Sequence, residues 1–504
     1  MLRSNVSRRV ILFLPPYSGK VLGPPLGLLS LAGALRESGY TPVLIDGALD
    51  REYFSTIARE SEDCACFGVS LLTGPMIREA IAASKLFRSL RPDVPIVYGG
   101  WHPSLMTGET LREDFVDVVI RHQGEQTLLE VLARFRNGHP LDLVEGCWFK
   151  RDGKVIQNAD RPASRLEDLP TPAYDLVDFD AYERASGIRK LPYATSIGCP
   201  YACKFCTDMV FYNRQFNPYD AGRVVREVTA LVRRHRLTEV ALVDSNFLVD
   251  VPRALAIAEG FAGSDVKFRW TFQASTDLLC RMSAPQVELL ARSGVSHIGF
   301  GTESASPDVL EWMNKQHQRI TDIGEAADKC ARAGIRVTLN LIFGYPGEEE
   351  RHRRETLQVM GAIAARQDSV FFAPNIFTPY PGIPIWPELE TRGMVRPASL
   401  EAWADVDLGA ERLPWLSGRP FNRLRRSISY FLLSNRLNKA IRNSSSGFKR
   451  ALLSLCRQPL HWRLRNHQFT FPWELWLSLA SRWIVVRRSL ITGEPLSREL
   501  GRSA

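Results

Sequence analysis

Gly198-Cys199-Pro-Tyr-Ala-Cys203-Lys-Phe-Cys206 is the segment of this 504-residue chain whose side chains and spacing most directly imply chemistry. Three cysteines, with three and then two residues between them, can wrap one compact cluster from a single loop. Three thiolates leave the fourth iron of a 4Fe–4S cluster without a protein ligand. An open iron is a site for chemistry, whereas a structural cluster or a zinc site is closed by four ligands. The competing reading is zinc completed by a distant His or Cys. Zinc sites favour paired C-x-x-C, and no second pair exists here. The other cysteines, Cys64, Cys66, Cys147, Cys280, Cys330 and Cys456, lack ligand spacing and read mostly as small buried hydrophobes, with no second cluster expected.

The cysteines follow a short strand candidate, Ala194–Ile197, the first of an alternating series. The others are Glu239–Val243, Lys267–Gln273, His297–Gly301, Val337–Phe343 and Val370–Thr378, with helical stretches between them. Six strand–helix units predict a partial (βα)6 barrel of the triosephosphate-isomerase kind, whose sites gather at the carboxyl ends of the strands. Upstream, Val10–Leu14, Pro42–Asp46, Cys66–Leu72, Pro95–Tyr98 and Val116–Ile120 read as strands. Leu26–Ser38, Met76–Leu90 and Gln126–Asn137 read as helices. This alternation predicts an α/β, doubly wound, Rossmann-like domain with its ligand at the strand carboxyl ends. Ser70-Leu-Leu-Thr73, Gly99-Gly100 and Gly124-Glu125 fall there. G-x-G-x-x-G is absent, so an NAD site is unsupported. The expected order is a first domain over 9–140, a proline-rich linker over 141–190, the barrel over 191–385, and a basic, aromatic, mainly helical region over 386–504.

Charge is unevenly spread. The whole chain has 64 Lys+Arg and 55 Asp+Glu, a net of +9; residues 411–504 hold 18 basic against 4 acidic, or +14, which leaves −5 for the first 410. Five of the eleven tryptophans lie in that tail. There, Trp473, Trp476, Leu477, Ala480, Trp483 and Ile484 keep helical spacing and form an apolar stripe flanked by Arg482, Arg487 and Arg488. Such a helix either lies in a membrane interface or packs on the barrel with its arginines solvated. Nucleic acid is the weaker reading, because no RNA-binding motif occurs and the body is acidic. A hydrophobic content of 45% with 24% charged residues excludes disorder, collagen and coiled coil. Nine cysteines are too few for a disulfide scaffold, the apolar run before Pro15-Pro16 is too short for a secretory signal, and no uncharged apolar stretch reaches membrane length. A cytosolic protein with reduced thiols is expected.

C-x₃-C-x-aromatic-C opening a six-unit barrel resembles the radical S-adenosylmethionine (SAM) enzymes, over Pro192–Pro384. The resemblance implies that Cys199, Cys203 and Cys206 hold a 4Fe–4S cluster whose open iron chelates SAM. An electron from the cluster then cleaves SAM to methionine and a 5′-deoxyadenosyl radical. It also implies SAM contacts at Phe205, at Asp244 in Asp244-Ser-Asn246, at Gln273 and Ser275, and at Glu303 in Gly301-Thr-Glu303-Ser304. Asn340 and Gly344, in Asn340-Leu-Ile-Phe-Gly344-Tyr-Pro-Gly347-Glu348, complete the implied set, and Thr378-Pro-Tyr-Pro-Gly382 ends the sixth strand.

The first domain is similar to the cobalamin-binding domain of the cobalamin-dependent subfamily. Ser70, Thr73, Gly99, Gly100, His102, Gly124 and Glu125 are the positions implied to hold cobalamin, the glycines letting the backbone approach a large flat ligand. The subfamily's usual last motif is Arg-Gly-Glu-Gly-Glu; here Arg121-His-Gln-Gly124-Glu125 departs from it at His122 and Gln123. Asp-x-His-x-x-Gly is absent, so no histidine ligand to cobalt is implied, and His102 reads first as a hydrogen-bonded loop histidine.

The function implied is a cobalamin-dependent radical SAM C-methyltransferase, acting on an unactivated carbon of an apolar or secondary-metabolite substrate. The alternatives are a non-methylating reaction such as the oxidative cyclisation of a tetrapyrrole, and a cobalamin-binding sensor with a degenerate barrel. An RNA-modifying methylthiotransferase would carry a second cysteine trio upstream, which is absent. The implied partners are a small molecule, lipid-like in one reading, and a flavodoxin- or ferredoxin-type electron donor. The tail adds peripheral contact with the inner face of the membrane, and no nucleic acid is expected.

Overall fold

The computed structural model describes residues 7–476, apart from 19, 22, 408–412 and 472. The chain divides into two compact units. One gathers the residues up to 273 with 292–294 and 378–410; the other gathers 274–291, 295–377 and the chain from 411.

The first unit opens with β1 Arg9–Leu14, β2 Thr41–Asp46, β3 Cys66–Ser70, β4 Ile96–Gly99, β5 Val118–Ile120, β6 Cys147–Arg151 and β7 Lys154–Gln157. Their order in the sheet is β2-β1-β3-β4-β5-β6-β7. The first five are parallel, and β6 and β7 add antiparallel. Strand order reverses between β1 and β3, the switch point at which doubly wound sheets bind ligands. Parallel strands are covered by helices on both faces, which is why β1 and β3 read as continuous apolar runs. On one face, Leu28, Ala32 and Leu35 of helix Leu26–Glu37 and Leu128, Val131 and Leu132 of helix Glu125–Asn137 pack on Val10, Leu12, Val97 and Val118. On the other, Phe67 stacks between Phe13 and Phe87, with ring centroids at 5.9 and 4.5 Å.

The expected linker is structured at its start. Cys147–Gln157 forms the β6–β7 hairpin, turning at Asp152-Gly153, where both residues take positive φ (51° and 72°). Asp-Gly between apolar runs is a strong two-residue hairpin signal, and the prolines further on mask it. Those prolines then lay the chain on the first domain. The Ala173 N–H donates to Leu29 O at 2.9 Å, and a Cβ on Gly33 would come within 2.6 Å of Thr171 O.

The same unit carries β8 Lys190–Tyr193, β9 Ser196–Ile197, β10 Asn217–Pro218, β11 Glu239–Leu242 and β12 Arg269–Ala274. β11 runs parallel between β8 and β12. The first strand of this series is therefore Lys190–Tyr193 and not Ala194–Ile197. Ser196–Ile197 instead pairs antiparallel with Asn217–Pro218.

In the second unit, β13 Val295–Glu303, β14 Arg336–Phe343 and β15 Val370–Ile376 are parallel, with β14 central. Helices Ile320–Arg332 and Glu350–Arg366 follow β13 and β14, and helices Gly418–Arg442 and Gly447–Asn466 form the C-terminal region. Of the tail stripe, Trp473 and Trp476 are described and exposed; Leu477, Ala480, Trp483 and Ile484, with Arg482, Arg487 and Arg488, lie outside the described residues. Among the described residues, no helix is long and apolar enough to cross a membrane.

Phe67→Ala should cost about 3–5 kcal/mol of unfolding free energy by leaving a cavity in the aromatic stack. Denaturant unfolding of the two proteins measures it, and a loss below about 1 kcal/mol would contradict this packing.

Candidate functional site

The cysteines occupy the loop between β9 and β10, and side-chain bonds fix the base of that loop. Asp244, 1% exposed, accepts from Thr195 N (2.7 Å), Thr195 Oγ1 (2.5 Å) and Ser196 Oγ (2.7 Å). Arg253 Nη2 donates to Thr195 O at 2.6 Å and its Nε to Tyr219 O at 2.7 Å, so one guanidinium grips both legs. Asp244 was expected to meet SAM; both its oxygens are instead engaged on the loop base. Gly198 must be glycine: its φ is +75°, and a Cβ would come 1.9 Å from Gln215 O. Within the loop, the Cys206 N–H donates to Cys203 O at 3.1 Å. The Cys206 thiol is pushed up to about 12, by burial first, then by Asp208 and the thiols of Cys203 and Cys199. Such thiols stay protonated until metal displaces the protons. Three thiols carried on one loop are the donor set a 4Fe–4S cluster with one open iron requires. Phe205 is half-buried on the same loop.

A cavity of about 620 Å³ lies within this first unit. Leu14, Ser70, Gly99, Gly100, Gly124 and Glu125 line it from the sheet, and Asp208, Tyr212, Val243 and Ser245 line it beside the cysteine loop. Gly100 has φ +91°, and a Cβ there would press to 3.0 Å on the Leu71 backbone. Glu125 is held up by burial; one of its oxygens accepts from Ser30 Oγ at 2.5 Å, and the other, buried, has no protein partner. Gln123 Nε2 is likewise buried without one, and it too lines the cavity. A glycine-floored, largely apolar chamber with unfilled amide and carboxyl groups fits a corrin with its rim of amides.

Two expected cobalamin contacts are placed elsewhere. Thr73 and His102 do not line the cavity; Thr73 Oγ1 and His102 Nδ1 bond to each other at 2.9 Å, both buried. Burial pulls the His102 imidazole down to about 3. Two residues noted only as departures from a motif do line it. His122, at φ +58°, sets Nδ1 2.9 Å from Phe211 O; Gln123 Oε1 accepts from Ser164 N at 2.6 Å. Arg253 and Asp208 escaped the sequence reading, because a helical arginine and an aspartate opening a short helix carry no spacing signal.

The second unit gathers its own strand-end groups. Glu303 ends β13 at a shift in register against β14, with φ +60°, unusual for a residue with a Cβ. It is buried, held up by that burial, and paired with buried Lys315 at 3.4 Å. Gly301 leaves the room: a Cβ there would come 2.7 Å from Glu303 Oε1. Asn340 Nδ2 donates to Phe300 O at 3.1 Å. The Gly344 N–H donates to Glu348 Oε2 at 2.5 Å, and Gly344 O accepts from Trp415 Nε1 at 3.0 Å, so its backbone serves the turn. Ser275 of this unit is buried, and Gln273, which belongs to the first unit, is exposed.

Comparison with known proteins agrees with this geometry. Residues 18–132 match the B12 binding domain, and residues 193–360 match the Radical SAM superfamily. The chain is 28% identical over 462 residues to the uncharacterized methyltransferase PH0819 of Pyrococcus horikoshii, spanning 89% of this chain and 98% of that one. It is 26% identical over 395 residues to the anaerobic magnesium-protoporphyrin IX monomethyl ester cyclase of Rubrivivax gelatinosus, over 75% and 70% of the two chains. Its fold matches that of the radical SAM methyltransferase TsrM of Kitasatospora setae, solved with cobalamin and a [4Fe-4S] cluster, at TM-score 0.67 and 16% identity over 91% and 99% of the chains. The fold is thus a B12-binding domain joined to a barrel-like radical SAM domain. The chain is a radical SAM enzyme with an N-terminal cobalamin-binding domain. Its cofactors are cobalamin, a 4Fe–4S cluster and SAM.

Cys203→Ala should abolish the cluster, read as iron and sulfide content after anaerobic reconstitution. Gly198→Ala should lower it severely while leaving all three thiols in place; full iron incorporation would show that the loop tolerates the side chain. His102 gives a pH test. Its native pKa lies below the unfolded value of about 6.5, so the unfolded chain binds the extra proton and stability falls as pH drops from 6.5 towards 3. His102→Gln should flatten that acid slope by up to one proton, and an unchanged slope would contradict the burial.

Proposed function

We propose that this enzyme transfers a methyl group to an unactivated carbon of a small, apolar or secondary-metabolite substrate. The observation that carries the reading is the single chamber bounded both by the glycine-rich strand ends of the B12 domain and by Asp208, Tyr212 and Ser245 beside the cysteine loop. When bound, the cluster and SAM supply a radical able to remove hydrogen from carbon, and cobalamin supplies the methyl group that replaces it. Cys199, Cys203 and Cys206 would hold the cluster. Phe205, Gln273, Ser275, Glu303 and Asn340 would hold SAM, and Ser70, Gly99, Gly100, Gly124 and Glu125 the corrin. Leu12, Leu14, Leu31 and Leu72 keep the chamber apolar, which excludes water from a reactive site. The buried, unfilled carboxyl oxygen of Glu125 can hydrogen-bond a corrin amide.

A flavodoxin- or ferredoxin-type protein would deliver the electron. The enzyme would work in the cytoplasm, with its basic C-terminal region in peripheral contact with the inner face of the membrane. The similarity to the porphyrin cyclase supports a second reading, oxidative ring closure. SAM carrying a labelled methyl group separates the two. Incubated anaerobically with reductant and candidate substrates, the enzyme should yield 5′-deoxyadenosine and a product carrying the label. An unlabelled product that has lost hydrogen would establish cyclisation instead. Glu125→Ala should reduce retained cobalamin, read from its visible absorption, without changing iron content.

A further inference from the structure

Helix Gly447–Asn466 buries one face and exposes another that is equally apolar. Leu460, His461 and Leu464 point inward, and the helix closes on Glu350–Arg366 so tightly that a Cβ on Gly361 would come 2.9 Å from Arg465 N. Opposite them, Phe448 is 81% exposed, Leu452 51%, Leu455 69% and Trp462 58%. With half-buried Pro459, these residues follow one another at intervals of four, three, four and three. At 3.6 residues per turn that keeps them within an arc of roughly 80°.

The helix carries no acidic residue, and its basic ones are Lys449, Arg450, Arg457, Arg463 and Arg465. Lys449 and Arg465 are exposed on either flank of the stripe. Arg463 binds Glu474 at 2.6 Å and the carbonyls of Gln468, Thr470 and Phe471, tying the following segment to the helix end. That segment adds exposed Phe471, Trp473 and Trp476.

We propose that this face docks on an anionic lipid bilayer, with Phe448, Leu452, Leu455 and Trp462 in the interface and Lys449 and Arg465 against the headgroups. The inference rests on the peripheral membrane contact proposed above, but assigns it to this helix and not to the stripe around Trp483. Charge selects the occupant. Residues 411–504 carry +14, and within them 477–504 hold five arginines against two glutamates, so neither the chain's own end nor a second copy complements the face. Anionic headgroups do, and the interface accepts the Trp, Phe and Leu side chains.

The test is co-sedimentation of the full-length protein with phosphatidylcholine vesicles, with and without phosphatidylglycerol. The wild type should bind the anionic vesicles, and binding should weaken with salt. Leu452→Glu combined with Leu455→Glu should lower binding at least about tenfold, since two apolar contacts with the interface are replaced by charges that anionic headgroups repel. Trp483→Glu combined with Ile484→Glu should leave it unchanged. Matched circular dichroism and iron content show that each variant is folded. If the helix variant binds like wild type while the tail variant does not, this assignment is wrong and the membrane reading survives. If the wild type ignores anionic vesicles, both fail.

Discussion

A carboxylate removed from water must have its lone pairs filled, and at Asp244 that requirement organises the cysteine loop. Its two oxygens take the Thr195 amide and the hydroxyls of Thr195 and Ser196. Because those residues turn onto Asp244, β8 ends at Tyr193 and the chain leaves the sheet. The short β9–β10 ribbon then closes a loop spanning 198–216, and Arg253 holds both of its legs by the carbonyls of Thr195 and Tyr219. Removing the Asp244 carboxyl would leave these buried donors unpaired, at a cost of about 1–3 kcal/mol each. The base is therefore stiff.

The two departures from the usual cobalamin motif act as cross-braces. His122 stands where the motif has glycine, and it keeps the positive φ that glycine would take at no cost. A residue with a Cβ gives up about 1–2 kcal/mol there. His122 recovers it through two bonds: its amide donates to Ser104 Oγ at 2.9 Å, and its ring meets Phe211 O at 2.9 Å. Phe211 belongs to the cysteine loop. Gln123 reaches Ser164, whose carbonyl in turn accepts from Asn217 Nδ2 at 2.8 Å, on β10 at the loop base. A glycine would keep the amide bond to Ser104 but lose the ring tie to Phe211 O, whereas a glutamate at 123 could still accept from Ser164 N. The cavity wall and the cysteine loop of the first unit are joined through these substitutions.

The elements that were legible in the sequence are those with a local cause. The three cysteines, the apolar strands of the first domain and the glycines at their ends follow from spacing and periodicity alone. Fidelity falls where a distant partner decides. Thr195-Ser196-Ile197 has the pattern of a sheet strand, and only Asp244, far along the chain, takes it out of the sheet. Thr73 and His102 look like strand-end ligands, yet they bond to each other, which no local pattern reveals. The Asp152-Gly153 hairpin was legible in principle and was hidden by the prolines that follow it. Glu303 falls between the two cases. Its place at a strand end is readable, but its left-handed backbone and its pairing with Lys315 depend on a register shift against the next strand.

The C-terminal region shows why charge totals alone under-describe a chain. Its first helix, Gly418–Arg442, has a structural task that its basic composition conceals. Asn435 takes the Phe372 N–H at 2.9 Å and gives a hydrogen bond to its carbonyl at 2.7 Å, and Asn438 donates to Val370 O at 3.0 Å. These are the backbone groups that a further strand would have bonded along β15, and an open parallel edge would invite pairing with another chain. Two asparagines therefore seal an edge in a helix dominated by arginine. Helix Gly447–Asn466 packs on this seal, with His461 Nε2 3.3 Å from Ser434 Oγ and Arg457 Nη1 donating to Asn438 Oδ1 at 3.1 Å. Its outward stripe does no such work among the described residues. A sequence that needed only to seal the sheet would have made that face polar. Keeping Phe448, Leu452, Leu455 and Trp462 in water has a solubility cost that docking on a lipid surface would offset.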